Sequence, residues 1–307
     1  MDSEAKNLVI VLGPTAVGKS ATSLKLAKLF RGEIINCDSM QVYRGFDVGT
    51  DKLAFEEREN IPHHLIDIVS ASHQFTAADF IKESIKAIHS IRKRKKLPVI
   101  TGGTGLYLKA LLEGLFPEEK RRPKIRSKLQ AEADEKGLEH LWKKLKDVDP
   151  VYCEKIGKND RIRIIRALEV FLATQEPLSK HFLKTKPFLA DFNILKIGLK
   201  LERKVLYKRI EDRVDKMFEK GIVTEVRKLI EQGIDEDSPP FRALGYKHVL
   251  KYVKNELPLE EAVQLTKIDT RHYAKRQMTW FRKMDSVHWF SPDDFTSIVE
   301  YIRENLR

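Results

Sequence analysis

The chain predicts an α/β fold: a phosphate-loop parallel sheet flanked by helices, with an all-helical insertion domain. Three observations carry this. Residues 13–20 read Gly-Pro-Thr-Ala-Val-Gly-Lys-Ser and fit the pattern G-x-x-x-x-G-K-[ST] at every fixed position. Through the first third, short apolar runs alternate with amphipathic stretches, the mark of a parallel sheet covered on both faces. From 117 to 190 that alternation stops and only helical patterns recur.

The elements follow in order. Residues 8–12 are apolar and make the first strand; 20–30 place Leu24, Leu26, Ala27 and Leu29 on a helix. A second strand at 33–37 ends at Asp38, and a third is expected at 64–69. Residues 75–94 form an amphipathic helix through Phe80, Ile81, Ile85, Ile88 and Ile91. A buried strand at 97–101 closes on Gly102-Gly103-Thr104-Gly105, and a helix at 106–115 follows. Helical patterns recur at 123–136, 138–146 and 161–173. A strand at 194–199 returns to the sheet. Helices at 202–219, 222–231 and 259–283, a strand at 287–290 and a helix at 293–305 complete the chain. The expected division is a core of 1–116 with 191–307 and an insertion of 117–190.

The 307 residues hold 57 Lys/Arg against 45 Asp/Glu, a formal charge of +12. The 117–190 stretch has 18 basic and 12 acidic residues, half of that excess. Such a balance suits a polyanionic partner, most simply nucleic acid. The two cysteines, Cys37 and Cys153, make neither a disulfide framework nor a zinc motif, which points to a reducing compartment. The first seven residues are short and polar, unlike a signal peptide, and no apolar run reaches membrane-spanning length. A soluble, cytoplasmic protein without membrane contact is expected.

Several stretches could carry chemistry. In the phosphate loop the glycines let backbone N–H groups wrap a phosphate chain at a helix N-terminus. Lys19 would contact the phosphates and the Ser20 hydroxyl would hold Mg²⁺. Asp38, just past the second strand, is either a general base or a cap on the next turn. The Gly102–Gly105 turn either binds an anion or simply needs glycine. Ligands bind at the carboxyl ends of parallel strands, where all three features fall. No aspartate ends the 97–101 strand, which argues against a generic ATPase. Of the basic clusters, 92–96 reads as a solvated helix end and 121–126 lies at the entrance to the insertion. Arg163 and Arg166 share a helix face. Residues 271–282 mix cations with aromatics, which suits either stacking on bases or an amphipathic helix burying Met278 and Phe281. His63-His64 is read as structural or surface rather than as a metal pair.

Together these segments resemble the tRNA dimethylallyltransferases, also called tRNA isopentenyltransferases. The matching pieces are GPTAVGKS at 13–20, DSMQVYRGFDVGT at 38–50, PHHLIDI at 62–68, GGTGLYLKALLEGL at 102–115, NDRIRIIRALEV at 159–170, RALGYK at 242–247 and TRHYAKRQMTWFR at 270–282. The resemblance implies transfer of a dimethylallyl group from dimethylallyl diphosphate to the exocyclic N6 of the adenosine 3′ of a tRNA anticodon. It implies catalytic roles for Asp38, Thr104 and Lys19. Gly13, Thr15, Ala16, Val17, Gly18, Lys19, Ser20 and Arg213 would hold the diphosphate, with Mg²⁺ on Ser20. Asp38, Ser39, Met40, Gln41 and Thr104 would surround the adenine. Further tRNA contacts are implied for Arg126, Ile162, Arg163, Ile164, Ile165 and Arg166, and for Arg242, Gly245, Tyr246 and Lys247. The partners implied are the anticodon stem-loop and the diphosphate donor, with the chain a monomer. Asp51-Lys52-Leu53 departs from a more usual Ala-Lys-Pro, and two cysteines fit the compact bacterial form without a zinc module. A phosphate-loop kinase for a small metabolite would explain the loop and Asp38 but not the basic helical stretch. A non-catalytic RNA-binding protein would explain the charge but leave the loop and Asp38 without work.

Overall fold

A computed structural model describes residues 6–115 and 123–306. The expected break at 116–117 and the Arg121-Arg122 pair lie outside the described residues. Among the described residues, no helix is long and apolar enough to cross a membrane.

The chain forms two compact units, Met1–Lys109 with Asp191–Arg307, and Ala110–Ala190. In the first unit β1 (Asn7–Leu12) leads into α1 (Lys19–Leu29), followed by β2 (Gly32–Cys37), β3 (His63–His64), α2 (Ala77–Lys93), β4 (Leu97–Gly102) and α3 (Gly105–Glu113), whose last turn belongs to the second unit. All six strands are parallel, in the order β3-β2-β4-β1-β5-β6. Val9 sits beside Val99 on one side and Leu195 on the other. Nearly every residue of β1, β2 and β4 is buried, as befits strands with helices over both faces.

The third strand is shorter than expected from 64–69. Leu65 and Asp67 take the left-handed backbone conformation, which ends the strand after two residues, and pairing resumes only at the isolated bridge between Tyr43 and Val69. The amphipathic reading of α2 holds: Phe80, Ile81, Ile88 and Ile91 are buried, and Thr76 and Asp79 close a capping box at its start.

The second unit is helical: α4 (Pro123–Lys136), α5 (Leu138–Val148), α6 (Pro150–Cys153), α7 (Arg161–Thr174) and α8 (Leu178–Leu183). Its own core joins Leu129, Leu141, Leu145, Ile164, Ile165 and Leu168. The chain then re-enters the sheet through β5 (Asn193–Leu199). It continues through α9 (Arg203–Glu219), α10 (Ile222–Glu231), α11 (Leu244–Val253), α12 (Leu259–Phe281), β6 (Val287–Phe290) and α13 (Phe295–Asn305). Val9, Val11, Val17, Ile197, Ile210, Ala274 and Ile298 form a core on one face of the sheet.

Candidate active site

Three loops leave the carboxyl ends of β1, β2 and β4 side by side: the phosphate loop, the turn after Cys37 and the turn after Gly102. Helices α9, α11 and α12 close round them to leave a cavity of about 340 Å³. Thr15, Lys19, Ser20, Asp38, Arg213 and Gln277 are on its wall.

The phosphate loop is shaped by backbone strain that glycine relieves. Gly18 holds φ at +105° immediately before α1, a conformation that side chains resist. The N-terminus of α1 then faces the cavity through Lys19 and Ser20. Val17 points away, fully buried in the core, so it can offer a diphosphate only its backbone. Lys19 Nζ donates to Pro14 O at 2.7 Å. Burial pushes the Lys19 ammonium down to about 7 and the neighbouring charge of Arg213 adds to this, against Asp38 and Cys37. An arriving anion would relieve both effects.

Arg213 reaches in from α9. Its guanidinium donates to the Thr15 hydroxyl and to Thr50 O at 3.4 Å, and its Nε lies 3.2 Å from the Asp51 carboxylate. Asp51 thus places an anion on the cavity wall beside the arginine.

Of the two roles its position allowed, Asp38 is seen in one, the cap. Its Oδ1 caps the turn, accepting from Met40 N at 2.8 Å and Gln41 N at 3.4 Å. Neither bond uses Oδ2, so one carboxylate oxygen stays available beside the cavity. Ser39, Met40 and Gln41 also line the wall, and Gln41 Nε2 donates to Thr50 O at 3.0 Å. Thr104 stands one layer back. Its hydroxyl accepts from Ser39 N at 3.1 Å and meets the Tyr273 hydroxyl, while Gly102 and Gly103 form the wall itself.

Two residues of α12 complete the wall without having been singled out as site residues. Burial holds the Tyr273 hydroxyl well above the usual tyrosine range, and Asp38 and Cys37 raise it further. Gln277 is bonded to both the phosphate loop and the Gly103 turn. The signal was their spacing of four, which puts both on one helix face. Both readings of 271–282, stacking cations and aromatics or an amphipathic helix, pass over these two residues, although Phe281 is buried as the second expects.

The 242–247 segment divides. Arg242 and Gly245 line the cavity and Lys247 is exposed, paired with Asp269 at 3.0 Å. Tyr246 corrects the expectation of a tRNA contact. It is wholly buried, its hydroxyl donating to Glu225 and accepting from Gly49 N at 3.1 Å. Glu225 also accepts from Val48 N at 2.8 Å, so this pair fixes the 47–49 loop.

In the helical unit the expected face also divides. Ile164 and Ile165 are core residues, since the helix turns them inward, and they are not free to touch RNA as expected. Ile162 is 72% exposed. Arg126 and Arg166 converge on the buried carboxylate of Glu169, at 3.6 and 3.1 Å, and Arg163 lies 3.3 Å from Asp160. Glu169 was missed because one acidic residue in an apolar helical stretch carries no pattern of its own.

No group of three or more His, Cys, Asp or Glu that could hold a metal occurs among the described residues. Ser20 Oγ and the lining carboxylates are hard oxygen donors, which fit an Mg²⁺ that keeps waters and shares phosphate oxygens rather than a protein-built cage.

Comparison with known proteins agrees along the chain. The IPP transferase family model matches residues 41–284. The tRNA dimethylallyltransferase of Acetivibrio thermocellus is 45% identical over 98% of this chain and 96% of its own length. tRNA dimethylallyltransferase 2 of Geotalea uraniireducens is 46% identical over 99% of both. Among solved structures, the tRNA isopentenylpyrophosphate transferase of Bacillus halodurans superposes with a TM-score of 0.73 at 40% identity, covering 98% of this chain and 97% of that one. A eukaryotic dimethylallyltransferase acting on tRNA superposes with a TM-score of 0.81 at 30% identity, covering 97% and 78%. With the family model matched over most of the chain and relatives of 45% identity covering nearly all of it, the chain belongs to the IPP transferase family.

Proposed function

We propose that the chain transfers a dimethylallyl group from dimethylallyl diphosphate to the exocyclic N6 of an adenosine 3′ of the anticodon in tRNA. One observation carries the reading. A phosphate loop whose lysine is bonded to a loop carbonyl shares one cavity with a second cation, Arg213, and with a carboxylate whose second oxygen is uncommitted. The loop N–H groups, Lys19 and Arg213 hold the diphosphate. As the allylic C–O bond breaks, the diphosphate leaves with the bonding electrons, and these donors stabilise its growing charge. The amine nitrogen forms the new C–N bond and its proton passes to Asp38. Mg²⁺, held by Ser20 and the phosphates, supplies further charge neutralisation when bound.

The acceptor base must leave its stack, at a cost of a few kcal/mol. Arg126, Arg163 and Arg166 of the helical unit provide phosphate contacts that offset it, with Ile162 presented beside them. Arg242 and Lys247 contribute from the core unit.

The test is direct. Purified chain, tRNA and labelled dimethylallyl diphosphate with Mg²⁺ should label tRNA without any nucleoside triphosphate. A strict ATP requirement, with phosphate passing to a small metabolite, would replace this reading by a kinase.

A further inference from the structure

Gln277 ties together the two halves of the cavity. It lies on α12, 5% exposed, between Ala274 and Phe281, which are fully buried one turn to either side. Its Oε1 accepts from Thr15 N at 2.8 Å, and its Nε2 donates to Gly103 O at 2.9 Å. The fit is close: a Cβ on Gly103 would lie 2.1 Å from Gln277 Nε2, so any other residue there would have to displace the amide.

Each bonded partner belongs to a different job. Thr15 is in the phosphate loop and its hydroxyl takes a bond from Arg213. Gly103 leads into Thr104, whose N donates to Cys37 O at 3.3 Å and whose hydroxyl takes Ser39 N at 3.1 Å. Cys37 and Ser39 flank Asp38. Hydrogen bonds and short backbone links therefore join the phosphate loop, through Gln277 and then Thr104, to the residues on either side of Asp38.

We propose that Gln277 is a positioning residue that sets the distance between donor and acceptor for group transfer. This rests on the prenyl-transfer reading above. Attack at the allylic carbon needs the amine, the carbon and the leaving oxygen in line, and a misplacement of about 1 Å can cost on the order of 10²-fold in rate. A neutral side chain that both accepts and donates at this reach is an amide, since a carboxylate cannot donate and Lys or Arg cannot accept. The arrangement also takes one donor from the cradle, because the Thr15 N–H is turned to Gln277 rather than to phosphate. That donor instead holds the two halves in register.

The experiment compares Gln277→Leu, Gln277→Glu and Gln277→Asn with the unaltered chain. Three quantities are read: kcat at saturating tRNA and donor, the affinity for inorganic pyrophosphate with Mg²⁺, and the melting temperature. Gln277→Leu should lose roughly 10- to 100-fold in kcat while pyrophosphate affinity stays within about 3-fold. Gln277→Glu keeps the bond to Thr15 and loses the one to Gly103, so its kcat should fall between. Gln277→Asn is one methylene short and should fall with Gln277→Leu. A kcat within about 2-fold of the parent in any stably folded variant overturns the proposal. So does a parallel fall in kcat, pyrophosphate affinity and melting temperature, which marks mere structural support. Should Gln277→Leu fail to fold, the other two variants decide on the same terms. An unaltered chain that moves no prenyl group would refute the functional reading instead, and is distinguishable from either.

Discussion

Two carboxylates mark the ends of strand β2, Glu33 inside it and Asp38 one residue beyond, and they behave oppositely. Glu33, near the start, is buried and surrounded: Arg94 at 2.6 Å, His64 at 2.7 Å and Lys96 at 3.1 Å. Asp38, just past the other end, takes only backbone N–H bonds among the described residues, both on one oxygen. Burial pushes the Glu33 carboxyl up, but the hydrogen bonds from Arg94, His64 and Lys96 more than reverse this and hold it at about 2. Glu33 is a fixed anion that consumes the cations near it. Asp38 keeps its second oxygen clear of hydrogen bonds among the described residues. The 92–96 run is the solvated helix end that was expected, with Lys93, Arg94 and Lys95 exposed, but part of it is also spoken for. Arg94 and Lys96 are tied to Glu33, and Arg92 stacks over Phe192 at 5.4 Å. A run of cations marks a binding face only where no buried carboxylate has already claimed it.

Exchanging the charge at each end breaks the contrast most sharply. Asp38→Asn keeps the turn cap but removes the proton acceptor. Turnover should fall by roughly 10²–10⁴, with tRNA affinity and melting temperature close to the parent. Near-parental turnover would remove Asp38 from the chemistry. Lys19→Ala, on the cavity wall, should abolish measurable pyrophosphate binding and transfer while leaving the melting temperature nearly unchanged, because Lys19 makes its bond to a loop carbonyl and not to the core. Full activity in this variant would sink the assigned cradle.

Glu33→Gln should do the reverse. It should retain transfer activity and lose about 2–3 kcal/mol of stability, the worth of charge-assisted hydrogen bonds. The sign with pH follows from the depressed carboxyl. Its stabilising contribution is complete above about 4.5, the ordinary value, and disappears as pH falls through about 2. Denaturation of parent and variant should therefore differ at pH 7 and converge towards pH 2. Equal stabilities at pH 7 would make the cluster an ornament of the surface.

Much of this was legible from residues alone, for physical reasons that differ by region. The phosphate loop, β1, β2, β4 and the helices of 123–174 announce themselves because buried parallel strands are uniformly apolar and the loop is a local motif. The third strand was overestimated because positive φ at Leu65 and Asp67 leaves no signature in side-chain type. In the site, Asp38 and Lys19 sit at positions set by chain order and were found. Gln277, Tyr273 and Glu169 were not, since their partners lie far off in sequence and only the folded chain brings them together. Tyr246, Ile164 and Ile165 were assigned to RNA along with their neighbours, and helical rotation turned them into the core.

The smallest expected effect extends the comparison to the helical unit. Arg163 and Arg166 also sit beside acidic partners, Asp160 and Glu169, so the question is whether those partners consume them as Glu33 consumes Arg94. Arg163 is exposed and its partner Asp160 also caps the helix through Arg163 N at 3.2 Å, which leaves the guanidinium free to exchange an ion pair for a phosphate. Arg166 shares one buried carboxylate with Arg126, two cations on a single anion, so a net positive charge remains. If these arginines meet the tRNA backbone, each replacement by alanine should make the slope of log affinity against log salt shallower by roughly 0.7–0.9 for every phosphate no longer neutralised. Pyrophosphate affinity should not change. Lys93→Ala, exposed at the end of α2, is the control and should leave the slope as it was. Titrations at several salt concentrations read the outcome. An unchanged slope for Arg163→Ala and Arg166→Ala would mean that both are consumed within the protein, and a large change for Lys93→Ala would move the RNA to the face of the 92–96 run.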